Sequence, residues 1–188
     1  MALPAPTVAA ALRNVLWRSP GKRVYGIVDA ARSVELAYEA KLQFGKDITS
    51  LFLPEFQTRL WNVAPYIVPI DEESDYVARW AARWASNVGV FVVSGAEEKP
   101  LYEHLRRTFV VEDEQKQAFF FRYYDPRVLR PFLPTCSGTQ LEQFFGPVDA
   151  FFIESEDGEA LCYFARHAGK LVEKRLSLEI EALSRETA

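Results

Sequence analysis

A few side chains of this 188-residue chain have the types that could support catalysis. Asp29 and Asp125 each end a predicted strand, so the two carboxylates could meet at one sheet edge and do acid-base work. Cys136 could serve as a nucleophile if a histidine such as His104 folded against it. These residues define one hypothesis, a small hydrolase-like enzyme that uses Asp29 and Asp125 with Cys136 or His104.

A structural role explains the same residues more simply. Each aspartate is expected to cap the following helix or to pair with a nearby arginine. His104 lies on a predicted amphipathic helix, and His167 precedes a turn. The sequence contains no nucleophile elbow, phosphate-binding loop, zinc-protease motif or EF-hand spacing. We therefore expect no catalytic residues, no cofactor and no metal site, and we predict that the chain is not an enzyme.

Composition narrows the class of protein further. A hydrophobic content of 49% predicts a substantial core, and the net charge of −4 argues against a nucleic-acid partner. The two cysteines lack CxxC spacing, so a disulfide framework is not expected. No signal-peptide pattern is present, and no apolar run approaches the roughly 20 residues that a membrane span needs. These features predict a soluble protein of the reducing cytoplasm.

Hydrophobic patterning predicts strands interleaved with helices. Residues 23–29 and 89–94 are short apolar runs typical of buried strands, and each is followed by a helical pattern, at 33–44 and 97–109. We predict an α/β (α+β) fold with a mixed central sheet flanked by helices.

The final third of the chain is expected to form a smaller lobe, with an α/β lobe at 1–134 and a C-terminal lobe at 135–188, although one domain is also compatible with the length. Asp157-Gly158 predicts a hairpin between two apolar runs. Residues 171–183 fit a helix, but part of the segment also alternates like a strand. We favour the helix.

An aromatic stretch at 118–134 is the most distinctive part of the sequence. Its run of phenylalanines and tyrosines predicts a strand covered on both faces and paired in a hairpin with Val110 and Val111. One alternating set, either Phe119, Phe121 and Tyr123 or the opposite set, is expected in the core. Asp125-Pro126 should end the strand and start a short helix.

The same stretch carries a resemblance. Residues 121–134, FRYYDPRVLRPFLP, closely resemble the signature of the type VI secretion effector adaptor (chaperone) family. Residues 25–32, 64–70, 101–107 and 145–148 also match segments of that family in the same order. The resemblance covers residues 23–148, and five ordered matches are more specific than any one of them.

The resemblance implies a cytoplasmic, non-catalytic protein that binds a type VI secretion effector and loads it onto the VgrG spike or a PAAR tip. An apolar effector segment is the expected partner, and no nucleic acid or membrane span is expected. The residues proposed to hold the corner or contact a partner are Asp29, Arg32, Arg122, Tyr124, Asp125, Arg127 and Arg130. A third hypothesis, an immunity-like protein that binds a toxin, shares the acidity and the missing catalytic motifs.

Overall fold

The computed structural model describes residues 3–52, 59–112 and 115–183 of the chain. The helices in these residues are α1 (Ala5–Leu16), α2 (Val34–Phe44), α3 (Tyr76–Ala81), α4 (Glu98–Thr108), α5 (Pro126–Phe132), α6 (Gly138–Phe145) and α7 (Leu178–Leu183). The strands are β1 (Arg23–Asp29), β2 (Thr49–Ser50), β3 (Pro65–Ile70), β4 (Gly89–Ser94), β5 (Val110–Glu112), β6 (Ala118–Phe120), β7 (Ala150–Glu154), β8 (Ala160–His167) and β9 (Lys170–Ser177). The predicted α/β class is confirmed.

Seven strands form one sheet in the order β2-β3-β1-β4-β7-β8-β9, and neighbouring strands pair antiparallel. In the centre, β1 pairs with β4 so that Val24 lies opposite Val93. β7 joins the other side of β4, with Phe152 opposite Phe91. The strands after residue 134 thus extend the same sheet, and a division into lobes at 1–134 and 135–188 stays a prediction.

Helices cover both faces of this sheet, which explains its near-continuous apolar strands. Alternate residues of β1 show the arrangement: Val24 and Val28 face a core with α1, α2, α3 and α7. Tyr25 and Ile27 face a second core with α4, α5 and α6. Because each strand buries both sets of side chains, solvent-facing polar positions are rare in β1 and β4. No helix in the described residues is long and apolar enough to cross a membrane.

Two glycines permit the closest packing in the central strands. Trp80 of α3 lies over Gly26, where a Cβ would come within 2.6 Å of the indole ring. The same indole packs against Phe91, with ring centroids 4.3 Å apart. At the start of β4, a Cβ on Gly89 would lie 2.0 Å from the carbonyl oxygen of Ile27. Both positions therefore require glycine for steric reasons.

Two expectations from the sequence are wrong. The aromatic run does pair in the predicted hairpin, as the short strand β6 against β5, but this hairpin is a separate two-stranded sheet and is not covered on both faces. Phe119 and Phe120 are 50% and 65% exposed. Residues 170–177, expected to be helical, form β9, which pairs along its length with β8, and the helix α7 begins only at Leu178.

Replacing Gly89 should test the tight contact between β1 and β4. Gly89→Ala should lower the free energy of unfolding by about 2 kcal/mol or more, because the clashing atom is backbone and cannot move aside. Urea denaturation measures the change. Gly95→Ala is the control, since its Cβ would meet only the flexible end of Lys22. Equal stability of the two variants would contradict the packing described here.

Candidate interaction site

The carboxylate of Asp29 is buried at the C-terminal end of the central strand β1. Its side chain is 1% exposed, and the backbone N–H of Ala31 donates to Oδ1 at 3.0 Å. Arg122 reaches it from the aromatic stretch, with Nη2 2.6 Å from Oδ2. Burial raises the pKa of Asp29 above its ordinary value, and the hydrogen bond from Arg122 limits the rise. The pair ties residues 93 positions apart in the chain.

Asp125 starts helix α5 as its N-cap. Its Oδ1 accepts hydrogen bonds from the backbone N–H and from Nε of Arg127, at 3.0 and 2.9 Å. Nη2 of Arg127 lies 2.6 Å from Oδ2, and Arg122 lies 3.5 Å from the same oxygen. Burial opposes ionisation, but the contacts with Arg127 outweigh it and hold the pKa of Asp125 below its ordinary value. Arg122 thus contacts both buried aspartates.

Two tyrosines anchor this corner to helix α4. The hydroxyl of Tyr123 donates to the carbonyl oxygen of Leu105 at 2.9 Å, near the end of that helix. The ring of Tyr124 packs 6.1 Å from that of Phe109 and lies under the guanidinium of Arg122, 5.8 Å away. Burial raises the pKa of Tyr124 to about 12, so it stays neutral. These contacts hold the corner against the base of the hairpin.

Glu154 ends β7 at the same end of the sheet as Asp29, and it is also buried. Its carboxylate accepts hydrogen bonds from the backbone N–H groups of Ala85, at 2.6 Å, and Asn87. Both residues have positive φ, at 65° and 53°, so the carboxylate supports an unusual loop. Arg130 donates to the carbonyl oxygen of Glu154 at 2.7 Å, and Arg32 donates to the same loop at 3.0 Å.

An apolar groove of about 340 Å³ lies beside the β5–β6 hairpin. It is lined by Leu51, Phe52, Leu60, Arg106, Phe109, Val110 and Phe120. Stacked rings build one wall: Phe120 lies 4.8 Å from Phe109, and Phe52 lies 6.1 Å from Phe120. Phe109 also packs on Tyr124, so one wall of the groove contacts the ion-paired corner.

A family model described as a domain of unknown function, DUF4123, matches residues 24–143, well over half of the chain. The chain belongs to this family. It is the type VI secretion effector adaptor family, so the resemblance seen in the motifs is confirmed. Searches of curated proteins and of solved structures returned no match.

The DUF4123 domain brings together the seven residues singled out from the sequence. Five of them form one cluster centred on Arg122, namely Asp29, Arg122, Tyr124, Asp125 and Arg127. Arg32 and Arg130 lie at the same sheet edge, around Glu154 and its loop. The arginine heads reach solvent to differing extents, whereas the aspartates and Tyr124 are buried. The cluster is thus a structural corner with exposed basic groups.

The structure does not assemble the catalytic arrangement considered from the sequence. Nε2 of His104 is hydrogen-bonded to the carbonyl oxygen of Phe144 at 2.8 Å, and the imidazole ring packs against Gly146. The thiol of Cys136 donates to the carbonyl oxygen of Phe132. Neither side chain is hydrogen-bonded to Asp29 or Asp125 in the part of the chain described. DUF4123 membership is compatible with a protein that is not an enzyme.

Sequence reasoning missed two residues of the site. Glu154 follows a short apolar run, as Asp29 does, and that shared pattern could have indicated a second buried carboxylate at the end of a strand. Arg106 had no such signal, because its neighbour Arg107 is also an arginine on the same helix. Within the described residues, no cluster of three or more histidine, cysteine, aspartate or glutamate side chains could hold a metal ion.

Removing Arg122 should destabilise the domain, because it leaves the buried carboxylate of Asp29 without its cation. We expect Arg122→Ala to lower the free energy of unfolding by about 1 to 3 kcal/mol, less than for a fully buried pair since Arg122 is 43% exposed. In an Asp29→Asn background the same change should cost clearly less. Arg175→Ala is the control, because its pair with Asp157 is exposed and worth under about 1 kcal/mol. Chemical denaturation measures all four, and equal costs in both backgrounds would refute the coupling.

Glu154 should make stability depend on pH near neutrality. Burial raises its pKa from 4.5 to about 7, so the folded state keeps a proton that the unfolded chain has lost between these values. Its stabilising contribution is complete below pH 4.5 and is lost as the pH rises through 7, a change on the order of 3 kcal/mol. Glu154→Gln should flatten this part of the profile.

Thermal unfolding between pH 4.5 and 8 checks the expectation for Glu154. The control variant Glu156→Gln, at an exposed position two residues away, should show the same pH dependence of stability as the native chain. Parallel profiles for the native chain and Glu154→Gln would show that Glu154 does not titrate in this range.

Proposed function

We propose that the chain is a non-catalytic adaptor that binds a type VI secretion effector in the cytoplasm and loads it onto a VgrG spike or a PAAR-containing tip. One observation carries this proposal beyond family membership. The β5–β6 hairpin presents four large apolar side chains to solvent, next to an apolar groove. These side chains are Val110, Val111, Phe119 and Phe120. Exposed apolar surface of this kind is typical of protein-binding sites.

The ion-paired corner supports this role by positioning the hairpin. Tyr123 is hydrogen-bonded to helix α4, and Tyr124 packs on Phe109 at the base of the hairpin. The hairpin itself is joined to the corner, since the backbone N–H of Phe121 donates to the carbonyl oxygen of Phe109 at 2.8 Å. A surface held in place before binding loses less conformational entropy when a partner docks.

The seven corner residues divide by exposure in this proposal. Asp29, Tyr124 and Asp125 are buried and hold the corner together. Arg122 and Arg127 are each nearly half exposed, so their outer N–H groups remain accessible to a partner. Arg32 and Arg130 secure the neighbouring loop and strand end.

Co-purification tests the proposal directly. The tagged full-length chain is expressed with the effector and the spike protein encoded beside it, and the purified material is analysed by size exclusion and mass spectrometry. We expect a complex of chain and effector, and a larger complex when the spike protein is present. The effector expressed without the chain should not join the spike protein to the same extent.

Two results would overturn the proposal. One is the absence of binding to either partner from cells that make all three proteins at comparable levels. The other is neutralisation of the effector's toxicity by the chain in the absence of the spike protein, with no spike complex formed. That second outcome would favour the immunity-like alternative.

A further inference from the structure

Strand β9 is the last strand of the seven-stranded sheet, and in the described residues no strand pairs with its outer side. It pairs with β8 along all eight of its residues. The strand at the opposite edge, β2, has only two residues. A long edge strand presents a row of unpaired backbone groups, which another chain can use to add a strand to the sheet.

The turn between β8 and β9 determines which backbone groups of β9 point away from the sheet. Its two residues, Ala168 and Gly169, both have positive φ, at 48° and 74°, as a type I′ turn requires. His167 and Lys170 therefore form a hydrogen-bonded pair, and such pairs alternate along an antiparallel ladder. The residues whose N–H and C=O groups point outward are Leu171, Glu173, Arg175 and Ser177. In the described part of the chain, these backbone groups make no hydrogen bond outside the sheet.

One face of β9 alternates between cationic and apolar side chains. This face carries Lys170, Val172, Lys174 and Leu176. Leu176 packs against the core shared with α1 and α7, and the ammonium of Lys174 lies 5.9 Å from the ring of Tyr163. The two lysines are exposed, whereas the two apolar residues are half-buried. A strand beside β9 would complement this face with acidic side chains opposite the lysines and apolar side chains between them.

The charges of β9 disfavour a second copy of this chain as the partner. Two β9 strands related by a two-fold axis would pair antiparallel, with outward-pointing backbone groups opposite each other. In the two registers with the greatest overlap, Glu173 or Lys174 lies opposite its own copy. Like charges directly opposite each other destabilise a strand pair. The edge is therefore suited to a different chain.

We propose that β9 binds an extended segment of the effector, which adds a strand to the sheet and places acidic side chains opposite Lys170 and Lys174. This inference rests on the adaptor function proposed above and names how the effector is recognised. Main-chain hydrogen bonds supply affinity, and the alternation of acidic and apolar side chains selects the segment. Because β9 lies beyond residue 143, where the family match ends, this edge suits a partner particular to this chain.

Amide exchange measured residue by residue tests the geometry of this pairing. The isotopically labelled full-length chain is compared by NMR, free and in complex with the effector encoded beside it. In the free chain we expect slow exchange at Val172 and Lys174, whose N–H groups bond to β8, and fast exchange at Glu173 and Arg175. The effector should slow exchange at Glu173 and Arg175 by at least about tenfold.

Proline substitutions separate the free side of β9 from the paired side. Glu173→Pro removes an outward N–H and keeps the bonds to β8, so the chain should fold with little change in melting temperature. It should bind the effector at least about tenfold more weakly. Lys174→Pro removes an N–H that bonds to β8, so it should lower the melting temperature instead.

Charge reversal tests the acidic side chains of the segment. The double variant Lys170→Glu with Lys174→Glu should weaken binding at least about tenfold. Changing the facing acids of the effector to lysine should restore it, and these acids are located from the effector amides that the native chain protects. Lys99→Glu, at an exposed position of α4, is the matched control and should bind as the native chain does.

Each other outcome decides the question. A complex in which the outward amides of β9 still exchange fast, or which Glu173→Pro leaves equally tight, overturns the inference and leaves the adaptor function intact. Binding that ignores the charge reversal overturns the acidic segment. Slow exchange of the outward amides in the free chain also overturns it, and concentration dependence would then identify a second copy as the occupant. Failure of the effector to bind the native chain at all refutes the adaptor function itself.

Discussion

The contact between Arg122 and the buried carboxylate of Asp29 is the interaction on which this corner depends. Asp29 lies at the end of a central strand, covered on both sides, where an unpaired charge would be costly. Arg122 compensates for that burial and also approaches Asp125, the N-cap of α5. One guanidinium therefore fixes the direction in which the chain leaves the hairpin and enters the next helix.

The layered sheet gives this corner a rigid base. Helices on both faces bury successive residues of β1 and β4, and the large indole of Trp80 fits only because position 26 is glycine. The β5–β6 hairpin forms a separate two-stranded sheet with exposed apolar side chains. Apolar side chains of similar type are therefore core in the large sheet and surface in the hairpin, which makes the hairpin the candidate binding surface.

Arginine serves two purposes in this domain. Around the corner it neutralises buried or half-buried carboxylates and holds backbone carbonyls, as Arg130 does at Glu154. Arg106 instead lines the apolar groove, and its Nη2 donates to the carbonyl oxygen of Ser50. The arginines of the corner find acidic partners because they lie beside the strand ends, where the buried carboxylates are. Arg106 lies away from those strand ends.

The sequence alone is sufficient for the features that depend on local pattern. Apolar runs defined β1 and β4, Asp157-Gly158 defined a hairpin, and the ordered motifs of residues 23–148 identified the family. It could not decide whether the aromatic run at 118–124 is covered, or whether residues 170–177 pair as a strand, because both depend on what lies beside them in space. Arg106 and Arg107 are the same residue type at adjacent positions, and the sequence does not distinguish them. Only the packing of α4 against the hairpin places Arg106 in the groove wall and Arg107 in solvent. Burial and pairing are properties of the tertiary structure, so the chemistry of the site emerges only there.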